Sequence, residues 1–285
     1  MRIPTPWWTR TLALFFIFLL LILGLVRYAL TGLSMHFLVN PTLDCSNMET
    51  FDGQKVRFSS EHLQLTGLYF PPKQPRTPAV VICHGSGQTI RSTARIAYWL
   101  HQEGFATLTF DYRGFGGSQG HLRSFHDLSR DLQSAIFFLN RQKNIDTHTI
   151  GIMGLSLGTA PAVQAAASNR KVKALMLQGT IYSGEQLVFG IFPDPWVKFC
   201  AQYLVNLDGL NNEKSISRLQ CPLLIIQEGE DDITLPQDGA RLYERAREPK
   251  SYWFVPGVGH LDTIDRYPEE YRKKVTLFFK ETLKK

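Results

Sequence analysis

The chain has 285 residues, of which 44% are hydrophobic and 20% are charged. This balance allows a large buried core and excludes a disordered or fibrous chain. The formal net charge of +6 arises without any long run of lysine or arginine, so we expect no nucleic-acid partner. The cysteines form no CxxC pair and the histidines show no HExxH spacing. We therefore expect neither a metal nor a cofactor.

The N-terminal segment is strongly apolar and carries no charge over residues 11–26. With Trp7 and Trp8 before it and Arg27 after it, the segment reaches the roughly 20 residues that cross a hydrocarbon core. A cleaved signal peptide is disfavoured because no A-x-A site precedes Arg27. The sequence predicts a single-pass membrane anchor over residues 1–26. Positive charge before the apolar run favours a folded domain on the non-cytoplasmic side.

A mixed tether over residues 27–50 leads into one folded domain over residues 51–285. Two alternating segments come first, and continuous apolar runs then alternate with amphipathic segments. This alternation predicts an α/β fold with a mostly parallel sheet covered by helices on both faces. The predicted strands are 55–60, 63–70, 79–84, 105–110, 149–154, 172–178, 222–229 and 251–256, and the predicted helices are 89–103, 127–142, 158–168, 236–247 and 268–283.

The alternation stops over residues 181–219, which contain helical fragments and no strand-like run. An insertion that follows a strand of a parallel sheet lies at its carboxyl edge, where it can cover a crevice. We therefore predict a small helical cap over this range. Its aromatic side chains either line a binding crevice or pack the cap onto the domain, and they are Phe189, Phe192, Trp196, Phe199 and Tyr203.

The segment "GLSLG" places Ser156 between Gly154 and Gly158. A predicted strand precedes it and a helix of small residues follows, which is the arrangement of a nucleophile elbow. Such a sharp turn exposes the serine oxygen above the sheet, and glycines are needed where a side chain would strike a neighbouring element. We therefore predict that Ser156 is a nucleophile.

A serine hydroxyl needs a base, and the base needs a third group that holds it in one tautomer. His260 lies in a glycine-containing loop after the last predicted strand, where such a base is expected. The acid should follow the apolar strand run 222–227, and the segment after it offers Glu228, Glu230, Asp231 and Asp232. Of these we prefer Asp232 over Asp231, because the next helix begins shortly after it.

The developing oxyanion requires backbone N–H donors. One is expected from Leu157, directly after the nucleophile, and the other from Ser86 in the loop "HGSG" after the strand 79–84.

Taken in order, the segments "HGSG", "FDYRGFGGSQG", "GLSLG", "GEDDITLP" and "PGVGHLD" resemble the α/β-hydrolase superfamily over nearly all of residues 51–283. The chain is most similar to its membrane-tethered, serine-aminopeptidase-like branch. The resemblance implies an α/β-hydrolase fold with a small cap and an N-terminal transmembrane helix. It also implies a catalytic triad and an oxyanion hole, made by Ser156, Asp232 and His260 and by Ser86 and Leu157.

These residues predict a serine hydrolase that cleaves an ester or thioester through an acyl-enzyme, with an amide a less expected substrate. Membrane attachment and the aromatic cap favour a small-molecule or lipid-like substrate with an apolar acyl group. The alternative is a catalytically inactive member of the fold that binds or scaffolds at the membrane. Such modules usually lack a triad member, and none is missing here.

Overall fold

The computed structural model describes residues 12, 14–26, 28–29, 51–191, 194–195 and 206–283. Residues 14–26 are helical and carry exposed apolar side chains. In the described part of the chain, no helix combines the length and the hydropathy that crossing a membrane requires. Most of the predicted tether 27–50 lies outside the described residues, and the structure describes none of the five aromatic side chains predicted for the cap.

Within the described residues there are eight strands: β1 (Gln54–Ser60), β2 (Leu63–Phe70), β3 (Thr77–Cys83), β4 (Ala106–Phe110), β5 (Ile145–Leu155), β6 (Val172–Gln178), β7 (Leu223–Glu228) and β8 (Lys250–Val255). They form one sheet in the order β1-β2-β4-β3-β5-β6-β7-β8. Strand β2 pairs antiparallel with β1 and with β4, and the other pairings are parallel. The carboxyl ends of β3 and β5 to β8 therefore lie along one edge of the sheet.

Helices cover both faces of the sheet. They are α1 (Ile90–Gln102), α2 (His126–Asn140), α3 (Thr159–Ser168), α4 (Gly184–Ile191), α5 (Pro236–Arg245), α6 (Thr263–Arg266) and α7 (Pro268–Leu283). Helix α4 belongs to the range predicted as a cap, and 3-10 turns at Asn212–Lys214 and Ile216–Arg218 follow it.

Two layers of buried apolar side chains fix the sheet between the helices. Alternation along β7 shows how: Leu223 and Ile225 enter the layer against α2, α3 and α5, whereas Leu224 and Ile226 enter the layer against α1 and α7. Burying one such side chain fully contributes about 1.5–3 kcal/mol. Because both of their faces are buried, inner strands such as β3 and β7 are largely apolar, which is why the sequence shows continuous runs there rather than polar alternation.

The predicted α/β fold with its mostly parallel sheet is confirmed, and every predicted strand and helix is present within a few residues. The sequence did not predict the position of β2 between β1 and β4, nor the short helix α6 after His260.

A buried ion cluster joins the loop after β4 to the rest of the fold. The Arg113 guanidinium donates to Asp131 at 2.7 Å and to Asp127 at 3.2 Å, and the Asp131 side chain is 0% exposed. Asp131 also accepts from the Ser60 hydroxyl at the end of β1. Removal of one partner from such a cluster leaves buried charge that the remaining partners balance less completely.

We predict that Asp131→Ala lowers the free energy of unfolding by about 3–5 kcal/mol, because it leaves Arg113 buried without its main partner. The matched control is Asp265→Ala, which breaks an exposed pair with Arg95 and should cost less than about 1 kcal/mol. Urea unfolding followed by circular dichroism measures both. Equal losses in the two variants would contradict the structural role of the cluster.

Candidate active site

Ser156 lies at a sharp turn between β5 and α3. Its φ of 49° is in the left-handed region, and residues Ser156–Gly158 form one 3-10 turn before α3 begins. A non-glycine residue in this region costs on the order of 1–3 kcal/mol, so the surrounding packing must enforce it. A Cβ at Gly158 would lie 2.3 Å from the Cys83 carbonyl oxygen. The second glycine of "GLSLG" therefore permits the close approach of β3 to the turn.

His260 connects Ser156 to a carboxylate. Its Nε2 lies 2.9 Å from Ser156 Oγ, and its Nδ1 lies 2.7 Å from Asp231 Oδ2. An ionised carboxylate only accepts hydrogen bonds, so Nδ1–H is the donor and Nε2 keeps its lone pair facing the serine hydroxyl. This is the tautomer that general-base activation of a serine requires.

The structure corrects the predicted acid: it places Asp231, not Asp232, against His260. Asp232 is exposed, whereas the Asp231 side chain is 0% exposed. The Asp231 carboxylate also accepts from the Thr234 N–H at 2.8 Å and from the Thr234 hydroxyl at 2.7 Å. These local bonds turn Asp231 inward. Thr234 lies three positions after Asp231 and two after Asp232, so its place in the sequence does not by itself distinguish the two aspartates.

Hydrogen bonding determines the charge state of Asp231. Burial alone would raise the pKa of its carboxyl, but the hydrogen bond and charge of His260, together with the two bonds from Thr234, outweigh burial and lower the pKa below its ordinary value. Asp231 is therefore ionised at neutral pH and can stabilise an imidazolium on His260.

The two segments predicted to supply oxyanion donors lie beside the serine. A Cβ at Gly85, just before Ser86, would lie 3.0 Å from Ser156 Cβ. The loop is held because the buried His84 donates Nδ1–H to the Gly85 carbonyl at 2.8 Å and the Gly85 N–H donates to Gln88 Oε1. Leu157 is buried in the middle of the 3-10 turn, directly after Ser156. The oxyanion role of Ser86 and Leu157 stays a prediction.

Gly179 contacts His260, and the sequence did not predict this contact. It follows β6 with a φ of 59°, and a Cβ there would lie 2.9 Å from His260 Cε1. The end of β6 therefore packs directly on the imidazole.

Within the described residues, no group of three or more His, Cys, Asp or Glu side chains is arranged to hold a metal ion.

Comparisons with known proteins show which families and folds this chain resembles. A family model described as serine aminopeptidase, S33, matches residues 74–208. An uncharacterized protein of Mycobacterium tuberculosis is 35% identical over 205 residues, which cover 72% of this chain and 70% of that protein. The alpha/beta hydrolase domain-containing protein 17B of Xenopus tropicalis is 31% identical over 170 residues, covering 59% of this chain and 55% of that protein. The esterase Pf2001 of Pyrococcus furiosus superposes with a TM-score of 0.72 at 19% identity, covering 86% of this chain and 100% of that chain.

We predict that Asp231→Asn slows reaction of Ser156 with a fluorophosphonate by at least about 10³-fold, because the amide cannot hold His260 in the reactive tautomer. The neighbouring substitution Asp232→Asn is the matched control and should change the rate by less than about threefold. Labelling time courses measure both rates. A larger loss for Asp232→Asn than for Asp231→Asn would show that the exposed aspartate is the working acid.

Proposed function

This chain belongs to the α/β-hydrolase superfamily, and on that basis we propose that it is a serine hydrolase that forms an acyl-enzyme on Ser156. The observation that carries the proposal is the continuous path from Ser156 Oγ through His260 to Asp231, with contacts of 2.9 Å and 2.7 Å. Residues far apart in the chain converge at one edge of the sheet to make it.

Acylation begins with attack of Ser156 Oγ on the substrate carbonyl carbon. His260 Nε2 takes the hydroxyl proton as the C–O bond forms, and Asp231 stabilises the resulting imidazolium without itself being protonated. The carbonyl π electrons move to oxygen, giving a tetrahedral oxyanion. When the oxyanion collapses, His260 returns the proton to the leaving alcohol or thiol, and the acyl group stays on Ser156.

Deacylation repeats the sequence with water. His260 takes a proton from the water as its oxygen attacks the acyl carbon, then returns that proton to Ser156 Oγ when the carboxylic acid leaves. In both halves the oxyanion accepts from the backbone N–H groups of Ser86 and Leu157. Each such donor typically contributes about 3 kcal/mol to the transition state.

The preferred substrate is an ester or thioester with an apolar acyl group. The P. furiosus neighbour bears the name esterase, whereas the matching family model is described as an aminopeptidase, so an amide is the competing substrate class. An apolar acyl group is consistent with the aromatic residues of the cap range 181–219 and with attachment to a membrane.

Membrane attachment through residues 1–26 is part of the proposal. It is supported by the uncharged run 11–26 and by the exposed apolar side chains of the helical residues 14–26. A hydrolase held at a bilayer encounters lipid-like acyl groups at high local concentration. We place the folded domain on the non-cytoplasmic side.

We predict that the wild-type protein hydrolyses short p-nitrophenyl esters and that Ser156→Ala lowers kcat by about 10⁴-fold or more, since no other group replaces the nucleophile. Release of p-nitrophenol measures the rate. The matched control is Ser86→Ala, which keeps the backbone donor and should retain kcat within about tenfold.

Two outcomes would contradict the proposal. Wild-type protein that cleaves neither esters nor amides would favour the inactive binding module. Hydrolysis that survives in Ser156→Ala would place the chemistry on another group. Matched ester and amide substrates that share one acyl chain separate the two substrate classes.

We predict that the full-length chain stays with the membrane fraction after alkaline carbonate extraction, because an apolar helix held in the bilayer resists extraction. A variant that begins at residue 51 is the control and should be recovered in the supernatant. Equal recovery of both forms in the supernatant would contradict anchoring by residues 1–26.

A further inference from the structure

A second carboxyl group lies buried beside the proposed triad. Glu228 is the last residue of β7, shortly before Asp231, and it is 0% exposed. Its Oε1 accepts two hydrogen bonds, from Gln178 Nε2 at 2.6 Å and from the Thr263 hydroxyl at 2.7 Å. The mechanism proposed above does not use this group.

The two donors belong to different elements at the same edge of the sheet. Gln178 ends β6, and its Oε1 accepts from the Tyr271 hydroxyl of α7 at 2.5 Å. Thr263 begins α6, directly after the loop that carries His260. Glu228 therefore connects β7, β6, α6 and, through Gln178, α7.

Both residues that donate to Glu228 lie close to His260. Gly179, next to Gln178, packs against His260 Cε1, and Thr263 lies shortly after His260 in the chain. The His260 loop needs such an attachment: Gly257 and Leu261 both adopt positive φ values, of 69° and 61°. The loop is also tied near its start, where the Glu230 N–H donates to the Val258 carbonyl at 2.9 Å. Thr263 provides the corresponding tie at its end.

Burial and hydrogen bonding together govern the charge of Glu228. Burial raises the pKa of its carboxyl, while its bonds from Gln178 and Thr263 only partly oppose that effect. Three acidic groups interact electrostatically with Glu228: Asp231 of the loop after β7, Tyr252 of β8 and Tyr271 of α7. None of the ion pairs among the described residues includes Glu228, and its Oε2 is buried without a hydrogen-bond partner there.

We propose that Glu228 is a positioning residue that, by holding Thr263 and Gln178, keeps the His260 imidazole in line between Ser156 and Asp231. The proposal rests on the proposed function, because its consequence is a faster reaction at Ser156. A displacement of about 1 Å in such a group can cost on the order of 10²-fold in rate.

The test compares two pairs of variants by ester hydrolysis. Glu228→Ala and Thr263→Val remove the connection and should lower kcat by about 10- to 100-fold with KM changed by less than about threefold. Glu228→Gln keeps an oxygen that accepts from both donors, and Thr263→Ser keeps the hydroxyl. These two controls should retain kcat within about threefold. Thermal unfolding establishes that each variant is folded, and the threonine pair decides the question if Glu228→Ala is not.

A second readout does not depend on turnover. The proton on His260 Nδ1, donated to Asp231, gives a downfield proton NMR signal that should weaken in Glu228→Ala and Thr263→Val and persist in the two controls. Unchanged kcat and an unchanged signal in folded Glu228→Ala and Thr263→Val would overturn the positioning role. If the wild type shows no hydrolysis dependent on Ser156, the proposed function fails, and the NMR signal alone decides whether Glu228 positions His260.

Discussion

The hydrogen bond from His260 Nδ1–H to Asp231 Oδ2 is the interaction on which the site depends. It joins two loops that follow different strands, and it spans 2.7 Å in a place where the carboxylate is withdrawn from water. Because it occupies the Nδ1 proton, it leaves Nε2 as the acceptor that faces Ser156 Oγ. Loss of this bond would leave an ionised carboxylate buried, an imidazole free to adopt either tautomer and a serine with no base.

The sheet makes this bond possible by bringing strand ends together. Parallel pairing of β5 through β8 sets the residues after each strand along one edge, so the serine turn, Gly179, the Asp231 turn and the His260 loop become neighbours. The serine turn is strained, with a positive φ at Ser156, and two apolar layers against the helices supply the stability that offsets this strain. Close packing restricts two positions to glycine, because a Cβ at Gly158 would meet Cys83 and a Cβ at Gly179 would meet His260.

The features that could be predicted from the sequence are those written in local spacing. Continuous apolar runs indicated the buried parallel strands, the serine between two glycines indicated the turn after β5, and a histidine after the last strand indicated the base. The choice between Asp231 and Asp232 depended on which carboxylate the Thr234 hydroxyl and N–H would bind, a three-dimensional matter that residue order alone did not decide. The contacts of Glu228 and the placement of β2 could not be predicted for a different reason: each joins segments that are distant in the chain.

Trapping the covalent intermediate tests the central claim most directly. The protein would be mixed with an excess of p-nitrophenyl ester, quenched in acid within the first turnover and digested, and the acyl group located by peptide mass spectrometry. If His260 and Asp231 activate the serine, we expect the acyl group on Ser156 in the wild type. We expect no acyl group on Ser156 in His260→Ala at the same quench time. An acyl group on a different residue, or equal acylation of Ser156 without His260, would contradict an acyl-enzyme formed by this triad.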